Sequence, residues 1–262
     1  MGKITIFLIR HGESVDNVAG LLAGVRDSPL TSHGAIQARR LGAHLTSTRF
    51  DWIFVSNLQR AVSTAEAVRD AQTETKPTLV QVPDLREKDF GSDEGRRWDK
   101  QVAAAQDAET KQSMRQRSAR FIDEHLSPIV VSSADGEDDT NIAIVSHGMM
   151  LASLLAVVRG PDCFHPSLVS SLNADVPARW SNTGFTRLEV SFVEAPTSSE
   201  AHPRWPHCRL AVATVNSVAH LAGLKKTRGG IGSAQHDARQ RTVTSFFASG
   251  PSKKRKAEEQ LD

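Results

Sequence analysis

The sequence predicts an α/β protein of three layers, with helices covering both faces of a mostly parallel sheet. Runs of β-branched and aliphatic residues alternate along the chain with stretches of helical periodicity. Two of the apolar runs, residues 4–9 and 142–145, lead after one further residue into a His-Gly pair. Because reactive side chains collect at the carboxyl ends of parallel strands, we expect His11 and His147 to share one edge of the sheet.

The elements follow from local composition and periodicity. Six segments rich in β-branched and aliphatic residues predict strands: residues 4–9, 52–55, 79–82, 142–145, 185–193 and 210–215. Four segments predict helices: residues 35–45, 58–71, 94–125 and 149–158. The acidic residues 133–140 and the proline-containing residues 195–206 predict loops. A strand antiparallel to the others is expected at an edge of the sheet, a common place for one in mixed sheets.

Charge divides the chain into two parts. A chain of 262 residues with 39% hydrophobic content can form one domain with a sizeable core. Residues 1–222 carry 23 basic and 26 acidic side chains, whereas residues 223–262 carry 9 basic and 4 acidic ones. The second part is rich in glycine and polar residues and cannot bury enough apolar area to offset the entropy of ordering. We therefore predict a domain over residues 1–222 and a disordered basic tail over residues 223–262.

Several protein classes are disfavoured. The residues after Met1 lack the composition of a secretory signal, and no apolar run is long enough to span a bilayer, so we expect a soluble intracellular protein without membrane contacts. Cys163 and Cys208 are the only cysteines and lack the spacing of a zinc site, so we interpret both as packing residues and expect no metal.

Ordered sequence blocks resemble the histidine phosphatase superfamily, the clan that includes cofactor-dependent phosphoglycerate mutase. The main blocks, in chain order, are Leu8-Ile9-Arg10-His11-Gly12-Glu13, Ser28-Pro29-Leu30-Thr31, Ser56-Asn57-Leu58-Gln59-Arg60-Ala61, Leu85-Arg86-Glu87, Glu94-Gly95, Val145-Ser146-His147-Gly148 and Asn182-Thr183-Gly184. The resemblance covers residues 3 to about 222. It implies a phosphoglycerate mutase-like fold and phosphoryl transfer. We expect no cofactor.

Phosphoryl transfer needs a nucleophile and cations that hold the phosphoryl oxygens. We assign His11 as the nucleophile, because an imidazole attacks phosphorus in its neutral form and neighbouring guanidinium groups lower its pKa. Arg10 and Arg60 suit the phosphoryl oxygens, which the planar guanidinium fork binds in bidentate fashion. His147 and Asn17 are expected to add further hydrogen-bond donors. These residues predict a phosphohistidine intermediate in a cationic pocket.

A proton donor for the leaving oxygen is also required. The Leu-Arg-Glu block implies this role for Glu87, which would then activate water against the phosphohistidine. Glu13 is a competing candidate, although its position directly after the nucleophile favours a role in orienting the loop. Asn182 and His220 are interpreted as supports for loops around the site.

The balance between hydrolase and mutase depends on what covers the site. Members that act as mutases shield the intermediate with a long insertion between the carboxylate block and the second histidine. Here only 59 residues separate Glu87 from His147, and the chain contains no tyrosine. A shorter cover admits water and favours hydrolysis of phosphomonoesters, from small molecules or phosphoproteins. A mutase-type phosphotransferase and a non-catalytic binding module remain the alternatives.

The tail contains a short motif at residues 240–247 that resembles the peptide with which replication and repair proteins bind the sliding clamp, proliferating-cell nuclear antigen (PCNA). One helical turn would gather an aliphatic and two aromatic side chains as a plug, with a glutamine at the pocket rim. The predicted contacts are Gln240, Val243, Phe246 and Phe247. The alternative is that the two phenylalanines belong to a terminal helix docked on the domain.

A compact basic cluster at residues 251–256 follows this motif and predicts a nuclear localisation signal read by importin. Its cationic residues are Lys253, Lys254, Arg255 and Lys256. We therefore expect a nuclear protein, with a shared nuclear and cytoplasmic distribution as the alternative. Four charges without an aromatic platform predict only weak, salt-sensitive contact with nucleic acid, so we do not expect direct nucleic-acid binding.

Overall fold

A seven-stranded sheet organises the fold. The computed structural model describes residues 2–97, 105–134, 136–170, 180–193, 203–225 and 230–237. The strands are β1 (Ile4–Arg10), β2 (Trp52–Val55), β3 (Thr78–Gln81), β4 (Thr140–Ser146), β5 (Val169–Ser170), β6 (Phe185–Phe192) and β7 (Cys208–Ser217). Their order across the sheet is β3-β2-β4-β1-β6-β7-β5. All pairings are parallel except those that β6 makes with β1 and β7.

Six α-helices accompany the sheet among the described residues. They are α1 (Val15–Ala19), α2 (Ser32–His44), α3 (Gln59–Ala71), α4 (Lys111–Phe121), α5 (Ser127–Ser133) and α6 (Gly148–Val158). A π-helical turn over Ile122–Leu126 joins α4 to α5. This wider turn precedes Pro128, whose ring nitrogen cannot donate the ordinary helical hydrogen bond.

Two hydrophobic cores lie on opposite faces of the sheet. Successive side chains of a strand point to opposite faces, and β1 feeds both cores accordingly. Ile4, Ile6 and Leu8 pack in the core that includes side chains of α4, α5 and α6. Phe7 and Ile9 pack in the core formed with α2 and α3. Helices therefore cover both faces, as the sequence predicts, and the central strands are buried on both sides.

The antiparallel strand is not at an edge of the sheet, contrary to the sequence prediction. The strand β6 lies between β1 and β7 and pairs with both. Because β7 returns directly beside β6 as its antiparallel neighbour, β6 gains a partner on its second side. The two-residue strand β5 takes the edge position instead.

The predicted helix over residues 94–125 is also shorter than expected. Gly95 adopts a positive φ of 82°, which is incompatible with a right-handed helix, so no α-helix continues through this residue. The helix α4 begins only at Lys111, where the Thr110 hydroxyl accepts a hydrogen bond from the backbone N–H of Ser113 at 3.1 Å. Residues 98–104 lie outside the described part of the chain.

Part of the predicted tail lies against the domain. The carbonyl of Ala234 accepts a hydrogen bond from the N–H of Ser32 at 3.0 Å, and the N–H of His236 donates to the carbonyl of Leu30 at 2.9 Å. Between them, residues 31 and 235 form an antiparallel bridge. Residues 230–237 thus contact the N-terminus of α2, whereas the predicted tail motifs at residues 240–247 and 251–256 lie outside the described residues.

Among the described residues, none of the helices is both long and apolar enough to cross a membrane. The same residues contain no group of three or more histidine, cysteine or acidic side chains arranged to hold a metal ion.

The contact of residues 230–237 predicts a stability difference between two truncated chains. A chain ending at residue 229 should have a free energy of unfolding about 1–3 kcal/mol below that of the full chain, because it loses backbone hydrogen bonds at α2. A chain ending at residue 237 keeps them and should match the full chain. Urea unfolding of the three proteins measures this, and equal midpoints for both truncations would contradict it.

Candidate active site

Three neighbouring strands deliver the site to one edge of the sheet. His11 follows β1, Ser56 follows β2 and His147 follows β4, and these strands are adjacent in the order β2-β4-β1. Backbone hydrogen bonds continue the pairing beyond the strand ends, from the N–H of His11 to the carbonyl of Ser146 and from the N–H of Ser56 to the carbonyl of Val145, both at 3.0 Å. The two histidines therefore meet, with ring centroids 5.0 Å apart.

The tautomer of His11 is set by one hydrogen bond. Its Nδ1 lies 2.6 Å from the carbonyl oxygen of Gly12. A carbonyl oxygen can only accept, so Nδ1 carries the proton and Nε2 carries the lone pair. The ring is 3% exposed and therefore held in one orientation. A buried Nε2 lone pair is the arrangement that a phosphoryl-accepting nucleophile requires.

The environment keeps His11 neutral. Burial lowers the pKa of His11 well below its ordinary value, and the nearby charges of Arg60 and Arg10 lower it further. The hydrogen bond to Gly12 acts in the opposite direction and is outweighed. The sequence predicted the effect of the arginines, and the structure adds burial as the larger cause.

His147 lies beside His11 and contacts Ser56 through its ring nitrogen. Its Nε2 lies 2.8 Å from the Ser56 hydroxyl, whose oxygen also accepts a hydrogen bond from the N–H of Leu58. The Ser56 oxygen keeps a second lone pair as well as its proton, so the hydroxyl can either accept from Nε2 or donate to it; when it donates, the His147 proton lies on Nδ1. This Nδ1 is buried and has no hydrogen-bond partner among the described residues. Burial lowers the pKa of His147 well below its ordinary value, with further contributions from Arg60 and His11.

Arg60 is a buried cation at the first turn of α3. It is 1% exposed, and its two terminal nitrogens donate to the carbonyls of Arg26 and Gly24 at 2.7 Å each. Its Nε is buried and without a partner among the described residues. Burial lowers the pKa of Arg60, whereas the nearby carboxylates of Glu87 and Asp27 favour its charged form. The guanidinium is thus fixed in position by backbone acceptors and keeps donor capacity for an anion.

Arg10 directly precedes His11, and Asn17 is linked to the His11 carbonyl through the amide of Asn182. Arg10 donates to the carbonyl of Trp180, and its charge contributes to the lowered pKa of His11. The amide oxygen of Asn17 accepts from the backbone N–H of Ser14 at 3.2 Å and from Nδ2 of Asn182 at 3.0 Å. Since its oxygen is engaged on the protein side, the NH₂ group of Asn17 remains the part that can donate to a ligand.

Glu87 lies at the N-terminus of α6, directly after His147. Its Oε1 accepts from the N–H groups of Lys88 at 2.9 Å and Met150 at 3.2 Å. Its Oε2 accepts from the N–H of Met149 at 3.3 Å. The carboxyl group is therefore oriented by both of its oxygens, beside the second histidine and within electrostatic reach of Arg60.

Glu13 faces a different set of partners. Its carboxylate accepts from the Thr31 hydroxyl at 3.1 Å, and its N–H donates to the side-chain oxygen of Gln37 at 2.9 Å. Glu13 is buried and both contacts lead to α2. This geometry agrees with a loop-orienting role for Glu13 and leaves Glu87 as the carboxyl group beside the histidines.

Several supporting residues had no assigned role in the sequence analysis. The hydroxyl of Thr64 accepts from the N–H of Gly12 at 3.0 Å and donates to the carbonyl of Arg60 at 2.7 Å, so it links the nucleophile loop to α3. Ser56 contacts Nε2 of His147 at 2.8 Å. Ser56 belongs to the sequence block that follows β2, which is the signal that could have identified it, whereas Thr64 lies on α3 outside that block. Asn182, by contrast, supports the site as predicted, donating to the carbonyl of His11 at 3.2 Å.

Comparison with known proteins identifies the family. The sequence profile described as "Histidine phosphatase superfamily (branch 1)" matches residues 6–176. The chain belongs to this superfamily. Among superfamily relatives, the probable phosphatase C1620.13 of Schizosaccharomyces pombe is 29% identical over 258 residues, covering 93% of this chain and 80% of the relative.

Other relatives include both phosphatases and mutases. The adenosylcobalamin/alpha-ribazole phosphatase of Salmonella typhimurium is 34% identical over 168 residues, covering 58% of this chain and 77% of the relative. The structure of phosphoglycerate mutase from Bacillus anthracis superimposes with a TM-score of 0.61 at 22% identity, covering 84% of this chain and 96% of the other. The latter likeness shows that the fold is phosphoglycerate mutase-like.

The two neutral histidines predict a pH dependence of stability. Because the folded pKa values of His11 and His147 lie well below the ordinary 6.5, the unfolded chain binds more protons than the folded chain between those values and pH 6.5. The free energy of unfolding should therefore fall as the pH is lowered below about 6.5. Urea unfolding in phosphate-free buffer measures this slope.

A double variant, His11→Asn with His147→Asn, should show a shallower slope below that pH. The variant His207→Asn, which alters an exposed histidine, is the matched control and should keep the wild-type slope. An unchanged slope in the double variant would mean that other groups dominate the acid sensitivity.

Proposed function

We propose that this superfamily member is a phosphomonoester hydrolase that acts through a phosphohistidine on His11. The observation that carries the proposal is the state of His11. Its buried ring is neutral, its Nδ1 proton is held by Gly12, and its Nε2 is left as the nucleophile. Arg10, Arg60 and the Nδ1 proton of His147 supply charge and hydrogen bonds for the phosphoryl oxygens.

The first half of the reaction transfers the phosphoryl group to the enzyme. His11 Nε2 attacks phosphorus in line with the ester oxygen, and the N–P bond forms as the bond from phosphorus to the ester oxygen breaks. Glu87 gives its proton to the departing oxygen, so an alcohol leaves rather than an alkoxide. Arg60 and Arg10 stabilise the charge on the three non-bridging oxygens, and Asn17 adds a neutral donor.

The second half returns the enzyme to its starting state. Glu87, now a carboxylate, takes a proton from water while the water oxygen attacks phosphorus. The N–P bond breaks, inorganic phosphate leaves and His11 regains its Nε2 lone pair. Glu87 is again protonated, so the cycle consumes one water molecule and yields one alcohol and one phosphate.

Hydrolysis is favoured over return of the phosphoryl group to a sugar acid. Only 59 residues lie between Glu87 and His147, and the chain has no tyrosine to contribute to an aromatic cover. The names of two superfamily relatives, a probable phosphatase and an alpha-ribazole phosphatase, agree with this choice. The physiological substrate is proposed only as a phosphate monoester, borne by a small molecule or a protein.

The nucleophile assignment predicts the effect of one substitution. The variant His11→Ala should hydrolyse para-nitrophenyl phosphate on the order of 10³-fold more slowly than wild type, because no phosphoenzyme can form. Initial rates at saturating substrate measure this. The control His207→Ala removes an exposed histidine and should retain wild-type activity.

Product analysis in the same assay separates the alternative functions. Release of inorganic phosphate that is unaffected by added 3-phosphoglycerate is expected for a hydrolase. Transfer of the phosphoryl group between carbon positions of that compound would instead assign a mutase. Equal rates for wild type and His11→Ala would mean that the site is not catalytic in the way proposed, and absence of activity from wild type would favour a binding module.

We also propose that the C-terminal residues beyond 237 direct this phosphatase to other proteins. The segment 240–247 has the spacing of a sliding-clamp ligand, with Gln240, Val243, Phe246 and Phe247 as the predicted contacts with PCNA.

The basic residues 253–256 are proposed as a nuclear localisation signal that importin recognises. The cellular distribution of a fluorescent fusion protein, with and without the substitutions Lys253→Ala and Lys254→Ala, tests this proposal.

A peptide of residues 236–258 should bind the clamp, because the two phenylalanines would fill an apolar pocket. Isothermal titration calorimetry measures the affinity. The doubly substituted peptide Phe246→Ala and Phe247→Ala should bind at least about 10-fold more weakly, since such anchors typically contribute more than 1 kcal/mol each. Equal affinities would end the clamp proposal.

A further inference from the structure

Arg117 binds the backbone of the loop that carries Glu87. This arginine lies on α4, is 9% exposed and points its guanidinium at three carbonyls of that loop. Its Nη1 donates to the carbonyl of Arg86 at 3.0 Å and to that of Asp84, and its Nη2 lies 3.5 Å from the carbonyl of Glu87. The contacts thus include the backbone carbonyl of Glu87 itself.

The guanidinium is in turn fixed by a carboxylate. Its Nε and Nη2 donate to the two oxygens of Glu109 at 2.8 Å each, a bidentate pair in which both side chains are 11% exposed. Burial alone raises the pKa of Glu109, but the hydrogen bonds from Arg117 and Ser113 outweigh it and leave the pKa lowered. Glu109 also accepts from the N–H of Asp89, two residues after Glu87.

Other contacts hold the loop from the opposite side. The hydroxyl of Ser146, at the end of β4, donates to the carbonyl of Leu85 at 2.7 Å. The carboxylate of Glu87 accepts from the N-terminal amides of α6. Arg117 is therefore the side chain that binds the backbone carbonyls of residues 84, 86 and 87.

An arginine is suited to this position by its shape. The planar guanidinium reaches a carboxylate and several carbonyls at once, which the ammonium group of lysine cannot do from a similar stem. The Arg117 charge is also close enough to the second histidine to contribute to the lowered pKa of His147. Its hydrogen bonds go to Glu109 and to the loop carbonyls, so its effect on chemistry would pass through the loop and through Glu87.

We propose that Arg117, held by Glu109, is the positioning residue for the general acid Glu87. The inference rests on the proposed function, because it assigns a consequence to the placement of the proton donor. Displacing the Glu87 backbone would misalign its proton from the departing ester oxygen while leaving His11 and the phosphate-binding arginines in place. Loss of alignment should therefore appear in the dependence of rate on the leaving group.

The test uses Arg117→Lys and a series of substituted phenyl phosphates that run from the acidic para-nitrophenol to the more basic para-methoxyphenol leaving group. The ratio kcat/KM reports all steps up to release of the alcohol. Wild type should depend weakly on leaving-group basicity, because Glu87 protonates the oxygen. In Arg117→Lys the value for para-nitrophenyl phosphate should fall no more than about 3-fold, and that for para-methoxyphenyl phosphate about 10–100-fold.

Two further variants make the result decisive. Arg120→Lys changes the next turn of α4, where Arg120 forms a half-exposed ion pair with the Asp84 side chain, and should keep the wild-type dependence. Glu109→Gln retains the shape of Glu109 but weakens its hold on Arg117, and should steepen the dependence in the same direction as Arg117→Lys. If Arg117→Lys does not fold, the leaving-group dependence of Glu109→Gln tests the inference in its place.

The outcomes distinguish this inference from the proposed function. A uniform loss of rate across the series in both variants would show that Arg117 and Glu109 support stability alone, and an unchanged series would show that they do not position Glu87. Either result overturns the inference while leaving a His11-dependent hydrolase intact. A His11→Ala protein as active as wild type would instead remove the proposed function itself.

Discussion

The hydrogen bond from His11 Nδ1 to the carbonyl of Gly12 is the interaction on which the site depends. It selects the tautomer whose Nε2 can accept a phosphoryl group, and it does so in a buried space next to two guanidinium groups. A protonated imidazole there would be both desolvated and repelled by like charges. The fold thus holds the His11 imidazole neutral by burying it and by placing positive charge near it.

This arrangement requires an unusually close approach of backbone segments. A side-chain carbon at Gly34 would lie 2.0 Å from the carbonyl of Glu13, and one at Gly12 would lie 2.7 Å from the carbonyl of Gly34. The loop after β1 can therefore rest on the first turn of α2 only where both positions lack a side chain. Thr183 also supports this loop, because its N–H donates to the carbonyls of Arg10 and His11. Its φ is 55°, a strained value for a β-branched residue.

Positive charge in the site is held in place by contacts within the protein itself. Arg60 satisfies part of its donor capacity with backbone carbonyls, which orients the guanidinium without neutralising it. Arg117 instead binds a carboxylate and loop carbonyls, and so acts on the chain rather than on a ligand. The two arginines differ in their partners, because Arg60 donates only to backbone carbonyls in these contacts whereas Arg117 also pairs with a carboxylate. Such prior orientation lowers the reorganisation needed when charge develops on the phosphoryl oxygens.

Sequence alone determined the alternation of strands and helices, the delivery of His11 and His147 to one edge, and the family blocks that contain Arg10, Arg60 and Glu87. These features depend on local periodicity and on the rule that parallel strands end together. Tertiary structure alone decided the interior place of β6, the docking of residues 230–237, the contact between Ser56 and His147, and the hydrogen bonds from Arg117 to the backbone of residues 84–87. Each of these features depends on contacts between residues distant in sequence, so no local pattern in the chain specifies them.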